Sequence, residues 1–296
     1  MQFKTLLQTI RPAFLILTPA CIFLGASTAM AAGYSIDTTL LALVVTGALC
    51  AHISVNMLNE YADFRSGLDL ITIKTPFSGG SGALPDNPAM AGTVLYTGLF
   101  TLAITSAIGI YIVNSQGLLI LPIGIIGLVI ILTYTQWINR WPLLCLIAPG
   151  LGFGILMVIG TDFVLTGDLS VTTWLAALVP FFLVNNLLLL NQFPDTEADR
   201  RIGRNHLPIA YGTRTSGHVY GISFLCAYSI IAIGIYYGYF PGLSAIALLP
   251  IFLSIFSITG AYRRAENIGD HPQYLGANVA ATITTPLLLG ISLLYA

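Results

Sequence analysis

Asparagine and aspartate recur with a similar spacing at two places in this chain, Asn59-x3-Asp63-x5-Asp69 and Asn191-x3-Asp195-x3-Asp199. Positions four apart on a helix lie about 40° apart around its axis, so Asn59 and Asp63 share a face. Asn191, Asp195 and Asp199 are expected to share another, along one helix. Two carboxylates ~6 Å apart repel by about 2–3 kcal/mol at an effective dielectric near 20, a cost that vanishes when a divalent cation sits between them. Mg2+ prefers oxygen ligands, keeps several waters, and is commonly held by one or two carboxylates together with substrate phosphates. Lys74, Arg200, Arg201 and Arg204 stand close in sequence as phosphate partners. The two segments therefore read as halves of a Mg2+-diphosphate site. For any single aspartate a solvated polar loop is the simpler account; for a duplicated pattern it is not.

These side chains stand out because their surroundings are apolar. Of 296 residues, 8% are charged and 56% hydrophobic; the net charge is −1 and the mean hydropathy +0.87. A soluble domain carries roughly 25% charged residues, so the chain reads as an integral membrane protein. Its near-zero net charge argues against nucleic acid as a partner and against any broad basic surface. Windows of about 20 apolar residues give nine expected spans, near 12–32, 39–60, 91–113, 117–136, 142–161, 172–194, 216–238, 240–260 and 274–295. The first imitates a signal peptide, with Lys4 and Arg11 before it and small residues at its end. It is longer than the ~7–15 residues of a signal core, and is read as a transmembrane helix.

All eleven Lys and Arg residues precede span one or follow spans two, four, six and eight. That side is cytoplasmic by the positive-inside rule. Nine of the twelve carboxylates share it, six of them within the two signatures. The expected architecture is all-α: one domain over residues 1–296, a polytopic bundle of nine transmembrane helices around a central cavity, N-terminus cytoplasmic. Gly67 is expected to end the helix of the first signature, leaving Asp69 on the following turn, and Pro194 to loosen the second. Cys21, Cys50, Cys145 and Cys226 lie in apolar runs and read as small buried hydrophobes. Tyr134 could face a developing cation, though an interfacial belt position is the expectation. His52, one or two turns before the first signature, could line a polar pocket, with a satisfied core histidine the expectation. His206 and His271 belong to loops and have no partner at metal-ligand spacing.

The segments Asn59-Glu60-Tyr61-Ala62-Asp63-Phe64-Arg65-Ser66-Gly67-Leu68-Asp69 and Asn191-Gln192-Phe193-Pro194-Asp195-Thr196-Glu197-Ala198-Asp199-Arg200-Arg201-Ile202-Gly203-Arg204 resemble the paired Asp-rich motifs of the UbiA-type membrane prenyltransferases. The tail Leu207-Pro208-Ile209-Ala210-Tyr211-Gly212 also looks like the family's, and the resemblance runs from about Arg11 to the last helix. It implies transfer of a prenyl chain from a polyprenyl diphosphate to an aromatic acceptor within the lipid bilayer. It further implies that Asp63, Asp69, Asp195 and Asp199, with Asn59 and Asn191, hold Mg2+ against the diphosphate, and that Lys74, Arg200 and Arg204 contact it. The cations would neutralise the leaving group while the apolar interior keeps water from the allylic carbocation. The stretch Lys74-Thr75-Pro76-Phe77-Ser78-Gly79-Gly80-Ser81-Gly82 looks like a family loop near the diphosphate.

The first motif is most like the menaquinone branch, which implies 1,4-dihydroxy-2-naphthoate as acceptor and a prokaryotic inner or plasma membrane with the site facing the cytoplasm. Two departures stand out, and the second, a missing acid, counts against that acceptor. Gly203-Arg204-Asn205 stands where many relatives have Gly-Lys-Arg, and Gly150-Leu151-Gly152-Phe153 where the naphthoate branch often has Gly-Leu-Gly-Glu. Other acceptors of the family stay open. An ion-coupled transporter would place its acids near the bilayer midplane, where this chain has almost none. A CDP-alcohol-type phosphotransferase would gather them in one compact motif.

Overall fold

The computed structural model describes residues 2–295, and no strand occurs among them. Nine apolar helical runs follow one another: α1 (Gln2–Ala31), α2 (Thr38–Ser66), α3 (Pro88–Gln116), α4 (Leu118–Thr133), α5 (Pro142–Thr166), α6 (Val171–Asn191), α7 (Leu207–Tyr236), α8 (Gly242–Asp270) and α9 (Pro272–Leu294). Eight of them are long and apolar enough to cross a membrane; α4 is shorter. The sequence window for that fourth span ran on to residue 136, but the chain leaves the helix after Thr133 and turns through Tyr134–Trp137. Hydrocarbon offers no partner to a peptide group, so each apolar run must close its own hydrogen bonds as a helix. Ends are marked by local chemistry. Asp37 caps α2 by accepting from the amides of Thr39 at 2.8 Å and Leu40 at 3.1 Å. Ser170 caps α6 through the amide of Thr173.

The bundle centres on α6, which packs against α5, α7, α9 and α1, while α2 pairs with α3 and α4 leans on both. Close approach rests on small residues. A Cβ at Gly25 would collide with the Val158 carbonyl, and one at Gly154 with the backbone of Phe181. Buried polar groups stitch α6, α7 and α9 together. Asn186 Nδ2 donates to the Tyr220 carbonyl (2.9 Å), Asn278 Nδ2 to the Asn186 carbonyl (3.1 Å), and Tyr220 Oη to Asn278 Oδ1 (2.9 Å).

In α5 the helix widens to a π-helix over Leu151–Ile159, just past Pro149. The Gly150 amide donates to Asn185 Oδ1 at 2.6 Å, so α6 satisfies a donor at the entrance to the widened stretch. Such stretches often mark functional walls. Here Gly152, Phe153, Leu156 and Met157 line a cavity to which α1 to α6 all contribute.

Candidate active site

At one end of the bundle α2 brings Asn59 and Asp63 to the cavity, one turn apart on the same face. Gly67, at φ 78°, ends α2 and starts a short helix, Leu68–Ile71, that carries Asp69 back toward it. This is the arrangement expected from the sequence. The second half differs: Asn191, Asp195 and Asp199 do not share one helix. α6 stops at Asn191, residues 192–195 form a turn, and a new helix, Thr196–Arg201, carries Asp199. Pro194 cannot donate a backbone hydrogen bond and disfavours helical geometry at Phe193, so it breaks the helix rather than loosening it. Both halves thus present their acids through a break.

Arg204 joins the halves. Its Nη1 donates to Asp199 Oδ1 at 2.9 Å, and its Nη2 pairs with Asp63 Oδ1. The other Asp199 oxygen lies 3.0 Å from His206 Nε2. A loop over residues 72–82 closes the end. The Gly79 amide donates to Asp195 Oδ2 at 3.2 Å, and Gly80, at φ 73°, passes so near Asp69 Oδ1 that any Cβ would collide with it. Glu60, fully buried, anchors this loop by accepting from the Ser81 amide (2.8 Å) and Oγ (2.6 Å). It also accepts from Arg11 Nε at 2.8 Å. Arg11 reaches it because α1 breaks there, with Arg11 itself at φ 55°.

The site is short of positive charge. Asp69 Oδ2, Asn191 Oδ1 and Asp195 Oδ1 are buried without any hydrogen-bond partner. Burial, with Glu60 and Asp63 nearby, pushes the Asp69 carboxyl up to about 7; burial and Asp199 do the same to Asp195. Among the described residues no three His, Cys, Asp or Glu side chains converge as a metal cage. Orphaned carboxylate and amide oxygens spread over two facing halves suit Mg2+, which takes few protein ligands and completes its shell with water and phosphate. The residues therefore fit that ion.

The acids belong to a cavity of about 600 Å3, lined elsewhere by apolar residues such as Leu43, Ile108, Ile112, Gly124, Gly127 and Val164. Of the residues singled out by sequence, Asn59, Asp63, Asp69, Asn191, Asp195, Asp199 and Arg204 meet on its wall. Lys74 is not on the wall; its side chain lies over Gly82. Arg200 faces outward beside Glu197, 3.6 Å away. Tyr134 lines the cavity rather than an interfacial belt, and His52 lines it as well. Sequence reasoning missed Arg11, Glu60 and His206 as site components. Arg11 reads as a topology signal, and Glu60 sits inside the first motif on its rear face.

An acidic, Mg2+-suited mouth on an apolar pocket inside a bundle of apolar helices is the site of a class of enzyme suited to an amphiphile with an anionic head and a hydrocarbon tail. The chain belongs to the UbiA prenyltransferase family, whose model matches residues 18–268, and it is a prenyltransferase. It is 28% identical to the 1,4-dihydroxy-2-naphthoate octaprenyltransferase of Bacillus subtilis, over 85% of this chain and 79% of that one. The enzyme of the same name from Haemophilus influenzae is also 28% identical, over 72% of this chain and 70% of that one. In fold it is similar to a digeranylgeranylglyceryl phosphate synthase, with TM-score 0.68 and 15% identity over 100% and 99% of the two chains. It is also similar to a UbiA homolog from Archaeoglobus fulgidus solved with DMAPP and Mg2+, with TM-score 0.65 and 16% identity over 99% of each chain.

Proposed function

We propose that this chain transfers a prenyl group from a polyprenyl diphosphate to an aromatic acceptor, 1,4-dihydroxy-2-naphthoate, in menaquinone synthesis. The carrying observation is the convergence of two acidic half-sites, with orphaned oxygens, at the mouth of an apolar cavity. The names of the two relatives support the acceptor, and the Archaeoglobus fulgidus structure supports the metal and the diphosphate. Asp63, Asp69, Asp195 and Asp199, with Asn59 and Asn191, would hold Mg2+, which when bound supplies the positive charge that stabilises a departing diphosphate. Arg204 adds fixed positive charge at the mouth, and the loop over residues 72–82 covers it. The hydrocarbon walls seat the tail and keep water from the reacting carbon.

In this reading the whole chain is one transferase domain crossing a prokaryotic inner or plasma membrane nine times. Its N-terminus and its site face the cytoplasm. The experiment incubates purified protein in lipid with labelled geranylgeranyl diphosphate, Mg2+ and a panel of phenolic acceptors. Acceptor-dependent diphosphate release that EDTA abolishes is expected. The absence of diphosphate release with every acceptor of the panel, or full activity in EDTA, refutes the reading.

A further inference from the structure

His52 lies on the same face of α2 as the first acidic motif, at the spacing His52, Asn56, Asn59, Asp63, and all four line the cavity. It sits about 10 Å below Asn59 along the helix axis. There the neighbouring walls are hydrocarbon: Phe14, Ala48, Ala51 and Leu156. The ring is fixed on two sides. Its Nδ1 is 2.8 Å from Oγ1 of the fully buried Thr18, and it meets Phe153 edge to face at a centroid distance of 4.8 Å. Nε2 has no hydrogen-bond partner among the described residues. The hydroxyls of Thr105, Ser106 and Thr161 on the same walls donate to backbone carbonyls; Asn56 Nδ2 donates to the Ile10 carbonyl, which leaves its Oδ1 as an acceptor one turn nearer the acids.

A held imidazole with one free nitrogen in an apolar cavity costs free energy unless an occupant bonds to it. A prenyl tail has no group that could. An aromatic acceptor does, and a ring attacking the carbon beside the diphosphate lies in the two helical turns between the acids and His52. We propose that His52 Nδ1–H donates to Thr18 Oγ1 and that Nε2, left as an acceptor, takes the hydrogen bond of a ring hydroxyl of the acceptor, making His52 an acceptor-selecting residue of the cavity. The proposal rests on the aromatic-transferase reading above.

The test measures equilibrium binding of a hydroxynaphthoate and of its O-methyl ether to the full chain in lipid nanodiscs, for wild type, His52→Gln and His52→Phe. Wild type is expected to favour the hydroxyl form by about tenfold. His52→Phe erases that preference, and His52→Gln, which keeps a hydrogen-bonding group, restores most of it. The equilibrium affinity for geranylgeranyl diphosphate stays unchanged in both variants. Equal hydroxyl preference in wild type and His52→Phe overturns the proposal. So does a parallel loss of diphosphate affinity, which would mean that the imidazole only supports the wall. If His52→Phe does not fold, His52→Asn, too short to reach the occupant, supplies the same contrast. Binding is read without turnover, so a wild type that transfers no prenyl group refutes the transferase reading, while the acceptor titration still decides the role of His52.

Discussion

Arg204 spans Asp63 and Asp199 from opposite halves of the site, the position from which it competes with a cation for the same oxygens. Arg204→Gln leaves two buried carboxylates without their counter-charge, a loss of about 3 kcal/mol or more for a buried pair. The metal-free variant should melt well below wild type, and Mg2+ should raise its melting temperature by more than it raises that of wild type. An equal or smaller Mg2+ response would show that Arg204 does not contend for the cation. Asp63→Asn and Asp195→Asn each remove a charged oxygen at the point where the halves face one another. Each should lower kcat by about a hundredfold or more with the helical circular dichroism spectrum intact; near-normal turnover in both would remove these residues from the site. The aspartates were legible in the sequence because their spacing repeats. Arg11 and Glu60, 49 positions apart, were not, since nothing local marks either as the other's partner. The outward turn of Arg200 and the seating of Lys74 over Gly82 are likewise tertiary outcomes that charge alone does not foretell.

At the scale of elements, hydropathy located the helices because apolar length is what a membrane demands, and Gly67 correctly closed α2. Three features escaped it. Uniform apolarity carries no period, so the π-helical stretch of α5 left no trace in the sequence. The turn after Thr133 shortened α4 within a window that still looked apolar. Pro194 broke the second motif into a turn and a fresh helix, where a continuous helix was expected. The shape of the cavity follows from small residues on the walls. Gly127 on α4 has open space beside it, with Leu156 Cδ1 3.8 Å from where a Cβ would stand. Gly127→Phe should therefore fill the deep end without displacing backbone. In competition assays it should shift preference from geranylgeranyl toward dimethylallyl diphosphate by about tenfold or more, within the range that pocket volume supports. An unchanged preference would mean that the tail takes another path.

The whole molecule is polarised from end to end. Sequence reading put all eleven basic side chains on one side of the membrane together with nine of the twelve carboxylates, and the positive-inside rule would make that side cytoplasmic. Arg263 and Arg264 are exposed at the end of the last helical turn before residues 265–270, which pack on Pro194 and Thr75 beside the site. Asp168, exposed in the loop between α5 and α6, belongs to the opposite end. The sidedness of these two positions decides whether a diphosphate made in the cytoplasm can enter the mouth without crossing the bilayer. Single cysteines at Asp168→Cys and Arg264→Cys, in a background where Cys21, Cys50, Cys145 and Cys226 are replaced by alanine or serine, report it directly. A membrane-impermeant maleimide added to intact cells should modify the residue at 168 and spare the one at 264, and permeabilisation should expose both. The reverse pattern would place the acidic mouth outside, where neither the charge distribution nor a cytoplasmic prenyl donor could be reconciled with the fold.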